Sequence, residues 1–345
     1  MDVSRGRRCL LVFVVSLLFV DLGVVACAMV GSGPAVQVGV RSVGRGNVLF
    51  VGGFGPGNYS RIQDAIDNAT AGDTVFVYHG VYSEYIKVDK SLHVVGEDRN
   101  NTVISAPIMG AVLISGDGVV FEGFTVLNND STEMTSAIYI SGSGCIVTGN
   151  IVLNTVKGRD YGIIVSGEGN TVAKNMVSNH TIGIFIFYSS GSRVEDNLAV
   201  DNDATGIAVT GSTTCSVLNN TVLRNYAGIR LFDARLNTVR GNLVKGSHDG
   251  IYLTYNYNRS VQNVISQNTF QENRRDAFFQ LPKGSHERNT WDANYWERPY
   301  PRPKLIGGAK AWIVIPGVPF HFPGGTVFLP WLAIDWHPAQ QPYSN

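Results

Sequence analysis

The chain has 345 residues, 44% hydrophobic and only 16% charged, and its 27 basic side chains balance 27 acidic ones. A neutral chain lacks the electrostatic footprint of a nucleic-acid-binding protein. The 39 glycines fit one elongated, turn-dense solenoid better than two globular domains, because a solenoid escapes the usual limit on core size.

Residues 1–30 read as an export signal or signal anchor. Arg5, Arg7 and Arg8 precede an apolar run from Leu10 to Val20 and a second from Leu22 to Val30, and Ala26-Cys27-Ala28 offers a small-residue cleavage site. Cleavage is the first reading. The alternatives are retention as an anchor, for which the segment is just long enough, and lipidation at Cys27. Each variant places the remainder outside the cytoplasm, secreted or anchored at the cell surface, and limits membrane contact to this N-terminal segment. Residues 31–57, rich in Gly and Ser, read as a spacer.

A helix is predicted over 60–70. Ser60 and Gln63 have the spacing of a capping box. Ile62, Ala65, Ile66 and Ala69 form an apolar stripe, and Gly72 stands where a helix stops. Beyond it, Val75 and Val77 alternate with Phe76 and Tyr78, and Leu92, Val94 and Ile104 extend the apolar pattern.

From Ala137 a phrase recurs: Ala137-Ile-Tyr-Ile, Gly162-Ile-Ile-Val, Gly183-Ile-Phe-Ile, Gly206-Ile-Ala-Val, Gly228-Ile-Arg-Leu and Gly250-Ile-Tyr-Leu, with a degenerate copy at Ala277. Successive starts lie 25, 21, 23, 22, 22 and 27 residues apart. Asn175, Asn197, Asn220 and Asn242 share one register after each phrase, and Asn150 and Asn268 fit it with small slips. Short alternating strands joined by Gly/Asn/Ser turns at this period predict a right-handed parallel β-helix, all-β, over residues 58–297. An inward Asn column serves the turns and bonds to the Asn of the next coil. The helix would then plug the open N-terminal end. The tail, 298–345, is rich in Pro and aromatics and is expected to bury itself as a second cap or along one side. Cys145 and Cys215 stand three coils apart, ~14 Å at the coil spacing, which is too far for a disulfide.

The Gly-Ile-x-Val/Leu phrases and recurrent Asn resemble the NosD-like and pectin-lyase-like β-helix repeats. Val51-Gly-Gly-Phe-Gly-Pro-Gly57 through Ile66, Gly72-Asp-Thr-Val-Phe-Val77 and Gly80-Val-Tyr-Ser-Glu-Tyr-Ile86 resemble the NosD-like opening. Asn289-Thr-Trp-Asp-Ala-Asn-Tyr-Trp296 resembles its end signature. The resemblance spans about residues 47–297 and implies fold far more than activity, because this fold hosts lyases, hydrolases, epimerases and inert scaffolds.

Alternation turns the second and fourth residues after each Gly outward. That puts Phe185, Phe187, Arg230, Phe232 and Tyr252 on one face, followed by Tyr188, Asp233 and Tyr255. Outward aromatics on adjacent coils are unusual on a soluble surface. Two readings stand: a ligand-binding stripe in which rings stack on the target and Arg230 and Asp233 supply polar contacts, or a surface covered by the protein's own tail.

Asp160, Glu195, Asp196, Asp201, Asp203, Asp233 and Asp249 are candidate acids, and His248-Asp249 a candidate acid–base pair. Asp201 and Asp203 would lie near Asp233 only in a favourable register. Asp is an ordinary turn residue, and no Asn-Thr-Asp, Asp-Asp, Gly-His-Gly or Asp-Pro-His set occurs, so the reading leans against an enzyme. The resemblance implies copper by the family's name. His79, His93, His180, His248, His286, His321 and His337 are dispersed and Met is scarce, so no cofactor or metal is expected. The function expected first is non-catalytic binding of carbohydrate or a surface protein. The alternatives are a polysaccharide-active enzyme and a copper-site maturation factor.

Overall fold

The computed structural model describes residues 46–106, 110–128, 135–156, 160–255, 260–281, 288–300, 302–314 and 326–343. The export-signal reading, Cys27, His286 and His321 lie outside them. Gly44–Asn345 forms one unit.

From Ser136 onward each coil holds a longer strand and two short ones, as in Thr205–Thr210, Ser216–Leu218 and Thr221–Leu223, whereas the early strands Ile86–Val88 and Val112–Ile114 are themselves short. Each strand pairs in parallel with its counterparts in the coils on either side, so Ile184, Ile207, Ile229 and Ile251 stand in register. The stacked coils form a right-handed parallel β-helix with three faces. Face A carries the long strands; faces B and C carry the two short ones. Faces A and B join into a 22-stranded sheet through the C-terminal hairpin, and face C is a separate 10-stranded sheet.

The three faces meet in a narrow core. Ile184, Ile186, Val194 and Ala199 of one coil are fully buried. That narrowness explains the recurrent glycine. A Cβ on Gly206 would lie 2.5 Å from a Val222 methyl and 2.9 Å from the Asn225 side-chain amide. No side chain fits where the inner corner is filled from the opposite face.

Asparagine fixes the coils axially. Asn150, Asn175, Asn197, Asn220, Asn242, Asn268 and Asn294 form a buried ladder in which each backbone N–H and each side-chain amide donates to the next Oδ1. The other two corners carry ladders too. One contains Asn202 and Asn225; the other contains Asn237, Asn263 and Asn289.

The helix, α1 (Ile62–Asn68), buries Ile62, Ala65 and Ile66 against the first coils. The expected capping box does not form, because the N-cap is Arg61 and makes no side-chain bond. Instead the Glu84 carboxylate accepts from Ile62 N–H at 2.9 Å and Gln63 N–H at 3.0 Å. Gln63 turns away and bridges the Lys87 backbone. A distant carboxylate replaces the local cap and still satisfies the first-turn donors. The segment read as spacer also contains a strand, Val48–Val51, paired in parallel with Thr74–Val77, so the solenoid begins inside it.

The tail closes the other end. Lys304–Val314 and Thr326–Asp335 form an antiparallel hairpin. Its base adds to the last strand of face A at Gly308–Lys310 and to face B at Asp335. Asp335, fully buried, ends the Asn ladder. Its carboxylate accepts from Asn294 N–H at 3.0 Å, the Asn294 amide at 3.2 Å and Trp296 Nε1–H at 3.0 Å. The tail is only partly buried, however: Leu305, Leu332 and Trp336 are 56%, 57% and 62% exposed. Among the described residues no helix is long and apolar enough to cross a membrane.

Candidate functional site

Face A sorts its side chains as the alternation requires. Ile184, Ile186, Ile207, Val209, Ile229, Leu231, Ile251 and Leu253 are buried inward. The outward column runs Ile164, Phe185, Ala208, Arg230, Tyr252, Phe278 in successive coils.

The outward aromatic side chains of this face fall into two groups, divided by the small Ala208. On the N-terminal side the rings form one continuous chain. Tyr161 stacks on Phe185 at 5.3 Å, Phe185 meets Phe187 at 5.0 Å, and Phe187 meets Tyr188 at 4.6 Å, edge on. Phe187 is 38% and Tyr188 67% exposed. Tyr188 holds a left-handed backbone (φ 49°) and its ring lies against Gly211, also left-handed (φ 60°). A side chain at position 211 would displace that ring.

On the C-terminal side, Arg230 lies 5.1 Å from the Phe232 ring. Tyr252 packs against Phe278 at 5.7 Å, and Arg275 covers Phe278 at 4.0 Å. The Arg230 Nε is buried and has no hydrogen-bond acceptor among the described residues. Burial lowers the Arg230 pKa and raises those of Tyr252 and Tyr255. Asp233 does not present itself as a surface contact: it is only 8% exposed, in a left-handed turn.

The candidate acids are dispersed. Asp201 and Asp203 precede the strand Thr205–Thr210, whereas Asp233 follows the strand Ala227–Phe232. The two groups therefore stand at opposite ends of the long strands, some ~20 Å apart at the rise of a six-residue strand. Asp201 is held by Arg224 through two bonds of 2.8 and 2.7 Å, and these residues line a polar corner cleft of about 780 Å³ with Asp203 and Tyr226. His248 stacks on Tyr226 at 4.8 Å, and its Nδ1 lies 3.4 Å from Asp249 Oδ1, which accepts more closely from Arg275 at 2.7 Å. Asp160 and His180 form a fully buried pair at 2.6 Å. A further aromatic cluster went unread in the sequence: Phe50, Phe76 and Tyr78 on face B, with centroids 5.1–6.1 Å apart. Its signal was the alternation of Phe76 and Tyr78 with Val75 and Val77, which was read for its inward valines and not as a ring cluster with Phe50.

Copper needs clustered His, Met or thiolate. Among the described residues no three His, Cys, Asp or Glu side chains converge. His79, His93, His180 and His337 are instead paired singly with Glu97, Glu122, Asp160 and Asp292 at 2.6–2.8 Å. Cys145 and Cys215 are free and buried, as the coil spacing required. Burial pushes both thiols up in pKa, away from the ligating thiolate. The described donors do not fit a copper centre.

A family model described as "Periplasmic copper-binding protein (NosD)" matches residues 66–302. No curated protein matches the chain in sequence. Among solved structures, pectate lyase Pel9A superposes with a TM-score of 0.53 at 14% identity, over 72% of this chain and 78% of that one. A DFA-IIIase from Arthrobacter chlorophenolicus A6 gives 0.53 at 12% identity, over 72% and 88%. Tailspike protein 2 from Escherichia coli O157:H7 bacteriophage CAB120 gives 0.50 at 11%, over 72% and 36%. At such identities the likeness is one of fold.

Proposed function

The chain belongs to the NosD family, and from that premise we propose that it is a non-catalytic, extracytoplasmic binding protein whose face A takes carbohydrate. The family's periplasmic description supports the location. The observation that carries the ligand class is the continuous, exposed run Tyr161–Phe185–Phe187–Tyr188, borne on a rigid parallel sheet. Flat rings fixed by strand pairing offer stacking surface at little entropic cost, which suits a pyranose face. The tail's described strands pair at the end of the solenoid, and Phe187 and Tyr188 stay exposed. The absence of catalysis is supported by the engagement of Asp201, Asp249 and Asp160 with Arg224, Arg275 and His180.

The test is retention of the purified protein on immobilised polysaccharides, with new chain ends assayed in parallel. Retention that falls about tenfold in Phe187→Ala or Tyr188→Ala, without new ends, supports the reading; a factor of ten corresponds to ~1.4 kcal/mol, the size of one stacked aromatic contact. New chain ends would establish a polysaccharide-active enzyme instead. Stoichiometric copper uptake would favour the maturation-factor alternative.

A further inference from the structure

The C-terminal hairpin combines two features that a simple end cap does not need. The first is apolar exposure on both sides. Ile306 and Ala333 pair with each other, are buried, and define the side turned to the solenoid. Leu305 and Leu332, on the opposite side, are 56% and 57% exposed. On the same side as Ile306 and Ala333, Trp331 and Leu329, which pair with Gly308 and Lys310 beside the last coil, are 37% and 41% exposed. Trp336, just past the hairpin, is 62% exposed. A soluble edge strand keeps one side polar; a near-continuous apolar run such as Val327-Phe-Leu-Pro-Trp-Leu-Ala-Ile334 is the pattern of a strand buried on both sides.

The second feature is charge. In a chain with no net charge, residues 298–334 carry Arg298, Arg302, Lys304 and Lys310 and no Asp or Glu. Lys304 at the base of the hairpin and Lys310 further along it sit against aromatic rings. Lys304 Nζ lies 4.3 Å from the Tyr300 ring, and Lys310 Nζ lies 4.3 Å from the Trp331 ring. Apolar side chains interspersed with Lys, Arg, Trp and Tyr along the hairpin match the chemistry of a bilayer interface. Hydrocarbon meets the apolar groups, and anionic headgroups meet the cations. A protein groove would answer only one side of the hairpin.

We propose that the C-terminal hairpin is a membrane-docking element that inserts its exposed apolar side chains into an anionic lipid surface. It would hold the C-terminal end of the solenoid at the bilayer, whatever becomes of the N-terminal segment, and it does not depend on the carbohydrate reading of face A.

The five tryptophans, Trp291, Trp296, Trp312, Trp331 and Trp336, all lie in the C-terminal part of the chain, so their fluorescence reports on this end alone. Full-length protein is mixed with vesicles of brominated phosphatidylcholine, with or without about one third phosphatidylglycerol. Tryptophan emission is expected to be quenched, more strongly with phosphatidylglycerol present. The Leu305→Asp/Leu332→Asp variant, altered only at exposed positions, should lose the quenching and need about tenfold more lipid for the same signal. Arg302→Gln/Lys304→Gln should abolish the preference for phosphatidylglycerol. Equal behaviour of the wild type and the Leu305→Asp/Leu332→Asp variant would overturn the proposal. So would unquenched wild type, including one whose hairpin is buried in a dimer by sedimentation without lipid. Equal quenching on both vesicles would overturn the anionic preference.

Discussion

Both ends of the Asn220 amide hold neighbouring coils in step. Its Oδ1 accepts from the backbone and side chain of Asn197 at 2.9 and 3.0 Å, and its Nδ2 donates to Val194 O and Asn242 Oδ1 at 2.9 and 3.0 Å. Asn220→Ala would strand these partners where water does not reach. At about 1–3 kcal/mol for each unsatisfied buried group, the loss should be at least ~3 kcal/mol, read as a lowered midpoint in urea unfolding. Glu84 makes a sharper comparison, because local sequence and structure disagree about α1. Glu84→Ala should cost ~1–2 kcal/mol, whereas Ser60→Ala should be nearly neutral. The reverse ranking in thermal melts would restore the capping box.

At the scale of elements, legibility follows the range of the interaction. The Gly-Ile-x-Val phrases gave the strands, their inward faces and the stack, because period and alternation are local signals. The apolar stripe of α1 was legible for the same reason. The glycine's cause was not, since Val222 comes from the facing strand. Two of the three Asn ladders were missed although their signal was printed: Asn197 and Asn202, Asn220 and Asn225, Asn237 and Asn242, and Asn263 and Asn268 each stand five residues apart, one short strand and its turn. The aromatic stripe was readable from strand parity. Its division at Ala208, the withdrawal of Asp233 and the capture of Asp249 by Arg275 depend on how neighbouring coils pack. The last long strand before the tail, Arg275–Leu281, adds a pH dependence of its own. Burial pushes Asp276 up to about 6, above the ~3.9 of an unfolded chain. A raised acid contributes stability that is present below the unfolded pKa and lost as pH rises through about 6. Asp276→Asn should therefore gain ~1–2 kcal/mol over wild type at pH 7, after allowance for partial exposure, and little or nothing at pH 4. Parallel melts across that range test it; a gain that does not change with pH would remove the buried acid as its cause.

For the whole molecule, a β-helix has no closed core, only neighbours, so its two ends decide whether it remains a monomer. The N-terminal end is covered by α1. The C-terminal end is covered by the hairpin base and by Asp335, which supplies the acceptor the next coil would have given to Asn294. A chain ending at Glu297 would lose both. The strand Arg275–Leu281 would then show an unpaired edge, and Asn294 and Trp296 would lose their shared acceptor. Because each coil is stabilised chiefly by its neighbours, the loss should stay local: hydrogen-exchange protection should fall in 260–297 and hold in 160–230. The bared edge and core should drive end-to-end association, read as a concentration-dependent rise in mass by light scattering. A truncated chain that stayed monomeric with unchanged protection over 260–297 would mean that the solenoid is closed without its tail. The hairpin would then be free of any structural duty at the solenoid end.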